Sequence, residues 1–223
     1  MELLLIIVPA IICIIAQINV TSTYNRYHKI RNARGLTGAD TARKILDLNG
    51  LTHVQIERVS GSLSDHYDPS ANVVRLSESV YDQTSVAALG VAAHECGHAV
   101  QHAQSYAPVL IRSNLVPIVN FCSRAWYFVF ILGLLATSFL GSTLLWVAVF
   151  LFAGVALFQI VTLPVEFDAS RRAMQILETQ GFLEGSEVSG AKKVLTAAAL
   201  TYVAALLQSL AQLLRLVRAA RDD

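Results

Sequence analysis

Charged side chains are missing altogether from residues 3–20, LLLIIVPAIICIIAQINV, and nearly every position there is aliphatic. A helix needs about 20 such residues to cross roughly 30 Å of hydrocarbon, so this segment predicts an anchor helix. Its start, Met1-Glu2, and its polar continuation TSTYNRYHK lack the basic head and small-residue cleavage site of a signal peptide, so the anchor is expected to stay uncleaved. Residues 125–163 are likewise free of charge and about twice as long as one span, which predicts a transmembrane hairpin turning at SFLGST, 138–143. Such a hairpin would return the chain to the face it left. A last apolar helix is expected over 194–217, where Gln208, Gln212 and Arg215 leave open whether it spans or lies at the interface.

The intervening segment has the character of a soluble domain. Thr37 and Asp40 before ARKILDL form a capping-box pattern, and Asn49-Gly50 ends that short helix. HVQIERV and NVVRLSE, β-branched and separated by the turn-rich GSLSDHYDPSA, predict a small sheet of two or three strands, so that 37–78 reads as a helix followed by a sheet. The pattern turns helical again over 82–104, with Asp82 or a nearby serine as cap and alanine as filler. The predicted fold is mainly α: one membrane-embedded domain over 1–223, with three or four transmembrane helices.

Composition agrees with a membrane protein: 54% of the 223 residues are hydrophobic, 15% are charged, and the mean hydropathy is +0.52. A net charge of +1 without a basic stripe argues against nucleic acid as a partner. Cys13, Cys96 and Cys122 are odd in number and far apart, which fits buried residues better than disulfides or a thiolate cluster. Lysine and arginine concentrate between the anchor and the hairpin and again after it, placing both segments on the cytoplasmic side; Arg215, Arg218 and Arg221 resist translocation of the tail.

The chemistry sits in His94-Glu95-Cys96-Gly97-His98. Histidines four apart on a helix share a face and can hold one zinc ion, with Glu95 beside them as general base toward a water polarised by the metal. A third ligand must come from elsewhere. His102 continues the same face, but three ligands along one helix would span about 12 Å. PVEFDASRRA, 164–173, follows the hairpin on the same membrane face and offers Glu166 and Asp168, which point nearly opposite ways; Glu166 lies nearer the membrane end. Gly97 fits close approach of another element to the metal. His66 and Tyr67 in the SDHYDP loop, or Arg171 and Arg172, are candidates to stabilise an oxyanion, and NVVRLSE offers a strand edge to an extended substrate.

TGADTARKILDLNG, SGSLSDHYDPSANVVRLS, AAHECGHAVQHA, LPVEFDASRRA and LTYVAALLQSLAQLLRL, in this order over nearly the whole chain, resemble the YugP-type membrane zinc metallopeptidases, the bacterial zinc peptidase 2 family. More remotely the pattern is similar to gluzincin membrane proteases of the HtpX and CAAX-prenyl-protease kind. That resemblance implies a gluzincin-like zinc-binding helical core with Zn2+ on His94, His98 and Glu166; the catalytic set read from the residues themselves is Glu95 with His66 and Tyr67 as candidates. The resemblance also implies a zinc endopeptidase acting on membrane or membrane-proximal polypeptides, multi-pass in the bacterial cell membrane and in contact with its lipid, with the third ligand on a helix over 164–180. In gluzincins an aspartate four residues after the third ligand orients a ligand histidine; here that position is Ser170, leaving Asp168, Asp65 or Asp68 for the task. The competing reading is a membrane scaffold that keeps zinc for stability, with His102 or Asp168 closing the coordination.

Overall fold

The computed structural model describes residues 2–61, 63–136 and 138–222, and it is mainly helical with a small mixed sheet. The elements in order are α1 (Glu2–His28), α2 (Gly38–Leu48), β1 (Gln55–Val59), β2 (His66–Asp68), β3 (Val73–Ser77), α3 (Glu78–Tyr81), α4 (Val86–Ala103), α5 (Ala107–Leu135), α6 (Ser138–Thr179) and α7 (Ser186–Asp222). The chain groups into two compact units, 1–16 with 110–164 and 201–223, and 17–109 with 165–200.

The first unit is built from apolar helix. Among the described residues four helices are long and apolar enough to cross a membrane: α1, α5, α6 from Leu140, and α7. The turn between α5 and α6 does not fall at 138–143, because α6 begins at Ser138. Gly141 serves close packing instead: a Cβ there would lie 2.9 Å from the Ala136 carbonyl oxygen and 3.0 Å from that of Gly133. The first helix of the hairpin starts well before residue 125, at Ala107, and carries Arg112 and Arg124 within it. The segment expected as a separate helix over 164–180 is the continuation of α6, whose 42 residues make about 63 Å of helix. At the tail, Arg218 pairs with Glu2 at 3.1 Å and Arg215 with the same carboxylate at 3.8 Å. With these charges paired, α7 runs through 194–217 without a break.

The second unit holds the chemistry. Thr37 and Asp40 make both capping-box bonds at 3.0 Å, which fixes the start of α2. Ile45 and Leu46 on its inner face are buried against the central helix α4, whose Ala87, Ala88, Ala92, Ala93, Cys96 and Ala99 are almost fully covered. Small side chains allow neighbours to come close on every side of α4. Ser85 caps α4 by accepting from the Ala88 N–H, while Asp82 pairs with Arg58. Buried Asn32 ties the end of α1 to this cap through its amide bonds to the Thr84 and Leu36 carbonyls.

The sheet has the order β1-β3-β2, with β1 parallel and β2 antiparallel to β3. β2 lies inside the segment expected as turn, too short at three residues to show alternation in the sequence. NVVRLSE therefore offers no free edge, since β3 is paired on both sides. Thr37→Ala, which removes the hydroxyl that accepts from the Asp40 N–H and donates to the Asp40 carboxylate, is expected to destabilise the protein by about 1 kcal/mol, read as a lower thermal midpoint in detergent.

Candidate metal centre

His94 and His98 stand on consecutive turns of α4 with ring centroids 4.7 Å apart, and the Glu166 carboxylate of α6 reaches both. Oε2 of Glu166 is 3.3 Å from His94 Nε2 and 3.6 Å from His98 Nε2. A charge-assisted hydrogen bond would draw these atoms to about 2.8 Å. Donors around a tetrahedral zinc, each near 2.1 Å from the ion, lie about 3.4 Å from one another. The observed separations have the second value, and the three ligand atoms all lie within 4.8 Å of one another. The imidazoles are about 15% exposed and Glu166 is 3% exposed, so the cluster is shielded yet open on the histidine side.

This spacing follows from Gly97, between the two histidines. A Cβ there would sit 2.7 Å from the backbone oxygen of Ala169, which is packed against this point of α4. Only a glycine lets the α6 backbone come this near. Ala169 lies between Glu166 and Ser170, so the contact brings both of those side chains to the histidines.

The outer nitrogens of the rings are held by neutral groups. His94 Nδ1 is 3.2 Å from the Ser170 hydroxyl, and His98 Nδ1 is 3.1 Å from Gln101 Oε1. Gln101, fully buried, donates its Nε2 to the Val165 carbonyl at 2.8 Å and to Asp168 Oδ2 at 3.0 Å. Two acceptors at that end fix the amide orientation, so Oε1 must face His98 and accept its Nδ1 proton. The Nε2 lone pair of His98 is left facing Glu166. The Ser170 hydroxyl takes either role, so it accommodates the same tautomer at His94, in which both rings would present lone pairs to the same point, as a metal requires. Burial pulls the His98 pKa down, but Glu166, Glu95 and Gln101 outweigh it and leave it above the ordinary imidazole value.

The remaining candidates are occupied elsewhere. Asp168 faces Gln101 and is clamped by Arg171 and Arg172, and Arg172 also donates to Gln104 at 2.6 Å. Asp65 accepts from the Ser77 N–H and hydroxyl, and Asp68 pairs with Arg75 and caps its own turn at Ser70 and Ala71. The group against His94 Nδ1 is the Ser170 hydroxyl, at the position where the gluzincin resemblance would put an aspartate. His66 contacts the Ser64 carbonyl and Arg75, while the ring of Tyr67 packs on His102 with centroids 6.0 Å apart. Glu95 is buried directly after His94. The sequence reading passed over Gln101, although it lies three residues beyond His98 on the same helical face.

Beside the cluster, Ser170 also lines a groove of about 930 Å3 between α6 and α7, with apolar walls that include Phe167, Met174, Leu195 and Leu200.

The sequence profile of the family described as "Putative neutral zinc metallopeptidase" matches residues 2–221. The chain is 50% identical over 202 residues to the Bacillus subtilis protein named "Putative membrane protease YugP", an alignment covering 91% of this chain and 88% of that one. No solved structure matches.

Replacing Gly97 by alanine is expected to push α6 away and abolish stoichiometric zinc uptake by the purified protein. Gln101→Leu keeps the bulk but removes the bond to His98, and should weaken zinc affinity by about 10–100-fold in a chelator competition, with helix content unchanged by circular dichroism.

Proposed function

Because the chain belongs to the zinc peptidase 2 family of membrane zinc metallopeptidases, we propose that it is a zinc-dependent endopeptidase cleaving membrane or membrane-proximal polypeptides. The observation that carries this reading is the pair of separations from Glu166 to His94 and His98, which match donors sharing one zinc ion. A zinc ion on His94, His98 and Glu166 would serve as a Lewis acid toward water and the substrate carbonyl.

Glu95 takes the proton of the attacking water as its oxygen bonds to the carbonyl carbon, and then gives that proton to the nitrogen as the C–N bond breaks. Gln101 holds His98 in one tautomer through this cycle and Ser170 can accept from His94 Nδ1, so that neither histidine competes for the proton. Tyr67 packs on His102 one turn beyond His98, and its hydroxyl, which donates to Asn72 Oδ1 at 3.4 Å, would leave that partner to meet the substrate oxygen; His66, engaged by Ser64 and Arg75, is given no step. The groove beside Ser170 receives apolar side chains of the polypeptide, in keeping with a substrate drawn from or near the bilayer. Lysine and arginine crowd the segments that carry the site, which supports a multi-pass protein of the bacterial cell membrane with its active side toward the cytoplasm.

Zinc reading and chemistry are tested separately. Purified protein is expected to hold about one zinc per chain; Glu166→Ala should lose it and Asp168→Ala should retain it. Glu95→Gln should keep its zinc while hydrolysis of an unfolded membrane polypeptide falls at least about a hundredfold. Zinc loss in Asp168→Ala with retention in Glu166→Ala would refute the ligand set, and an unimpaired Glu95→Gln would refute the base.

A further inference from the structure

A second cavity, of about 430 Å3, lies between α1 and α7 and shares Ser189, Lys192, Thr196 and Leu200 with the groove beside Ser170. Its walls are one face of each helix: Asn19, Thr23 and Arg26 recur at helical spacing on α1, as do Ser189, Lys192, Lys193 and Thr196 on α7. Gly190 sets the register of the two faces, because a Cβ there would strike the Tyr27 ring at 2.7 Å. That contact puts Arg26, which lies over the Tyr27 ring at 5.6 Å, level with the two lysines.

Three cations, the hydroxyls of Thr23, Ser189 and Thr196, and Tyr27 thus line one groove, and no acidic residue lines it. Among the described residues no carboxylate forms an ion pair with Arg26, Lys192 or Lys193, although other arginines of this unit, such as Arg34, Arg43, Arg58 and Arg75, are paired. A concave site of charge +3 calls for an anion. Both helices that form it are long and apolar enough to cross a membrane, and the groove lies where each passes from charged to apolar sequence, at Arg26 after 3–20 on α1 and at Lys192-Lys193 before 194–207 on α7. Headgroups occupy this level of a bilayer.

We propose that this groove binds the phosphate headgroup of an anionic phospholipid. Arg26, Lys192 and Lys193 meet the phosphate, and Thr23, Ser189 and Thr196 supply hydrogen bonds to glycerol and ester oxygens. A zwitterionic lipid brings its own cation into a site that already holds three, so it is disfavoured. The bound lipid bridges α1 and α7 and stabilises their junction.

The test titrates phosphatidylglycerol, phosphatidylcholine or inorganic phosphate into the full-length protein in neutral detergent and follows the thermal midpoint. Phosphatidylglycerol should raise it by several degrees, phosphatidylcholine and phosphate should not, and the effect should shrink with added salt. Each of Arg26→Gln, Lys192→Gln and Lys193→Gln should weaken the phosphatidylglycerol response about fivefold in concentration. The combination Lys29→Gln, Lys44→Gln and Arg58→Gln, which removes three positive charges outside the groove against one in each groove variant, should leave it intact. Equal responses to the two lipids, a response reproduced by phosphate alone, or one undiminished in the groove variants would overturn the proposal. Should the groove variants fail to fold, a lipid preference in the parent protein that ignores salt would do so equally.

Discussion

The distance between α4 and α6 at Gly97 and Ala169 decides what the histidines can reach. His94 and His98 straddle Gly97 on one helix, and Glu166 and Ser170 straddle Ala169 on the other, so a single backbone contact holds four side chains in register. Helices commonly pack with axes 8–10 Å apart, the value depending on side chains at the crossing. A carboxylate has only two side-chain carbons of reach beyond Cβ. With larger residues at this crossing Glu166 would fall short of one imidazole or both. The alanines lining the rest of α4 serve the same end, because a helix that must be approached closely at one point cannot be held off at the next.

How much of this the sequence disclosed depends on the range of the interaction. The histidine pair was legible because both residues lie within one helix, where spacing is geometry. The capping box of α2 was legible for the same reason. Glu166 and Asp168 were not separable by spacing alone, because they differ in which side of α6 they show to a helix some seventy residues earlier in the chain. Their partners distinguish them: Glu166 meets the imidazoles, whereas Asp168 meets Gln101 and two arginines. β2 escaped notice since three residues with two acidic or aromatic turn formers carry no alternation, and its partner strand supplies the pattern. The turn placed at 138–143 failed because glycine has two uses, and at Gly141 close helix contact took precedence over chain reversal.

Polar groups in the apolar helices obey the same accounting of partners. Gln208 accepts from the Cys13 thiol, Arg215 bonds Gln212, and Arg215 and Arg218 share the carboxylate of Glu2. Each of these residues weakened the case for a spanning C-terminal helix when it was viewed singly. Paired across helices, they are compatible with a long continuous α7, because a charge near the end of a span is costly only while it lacks a partner or a route to water.

The way the histidines are held bears on the reactivity of the centre. A carboxylate behind an imidazole makes the ring a stronger donor and so softens the pull of a bound metal on its other ligands. Here the charge of Asp168 reaches His98 only through the Gln101 amide, and two arginines offset it, while His94 faces a neutral hydroxyl. Gln101 holds the His98 tautomer and Ser170 accommodates the same one at His94, and neither confers the full basicity that a carboxylate would. Among the described residues Glu166 is the one anionic donor of the cluster, so in the proposed zinc site an ion would keep more of its positive charge for polarising water and a carbonyl. Orientation and charge, which a single aspartate would supply together, are divided in this chain between different residues. Removing the orienting groups therefore acts on geometry first and on Lewis acidity second, the reverse of what neutralising Glu166 would do.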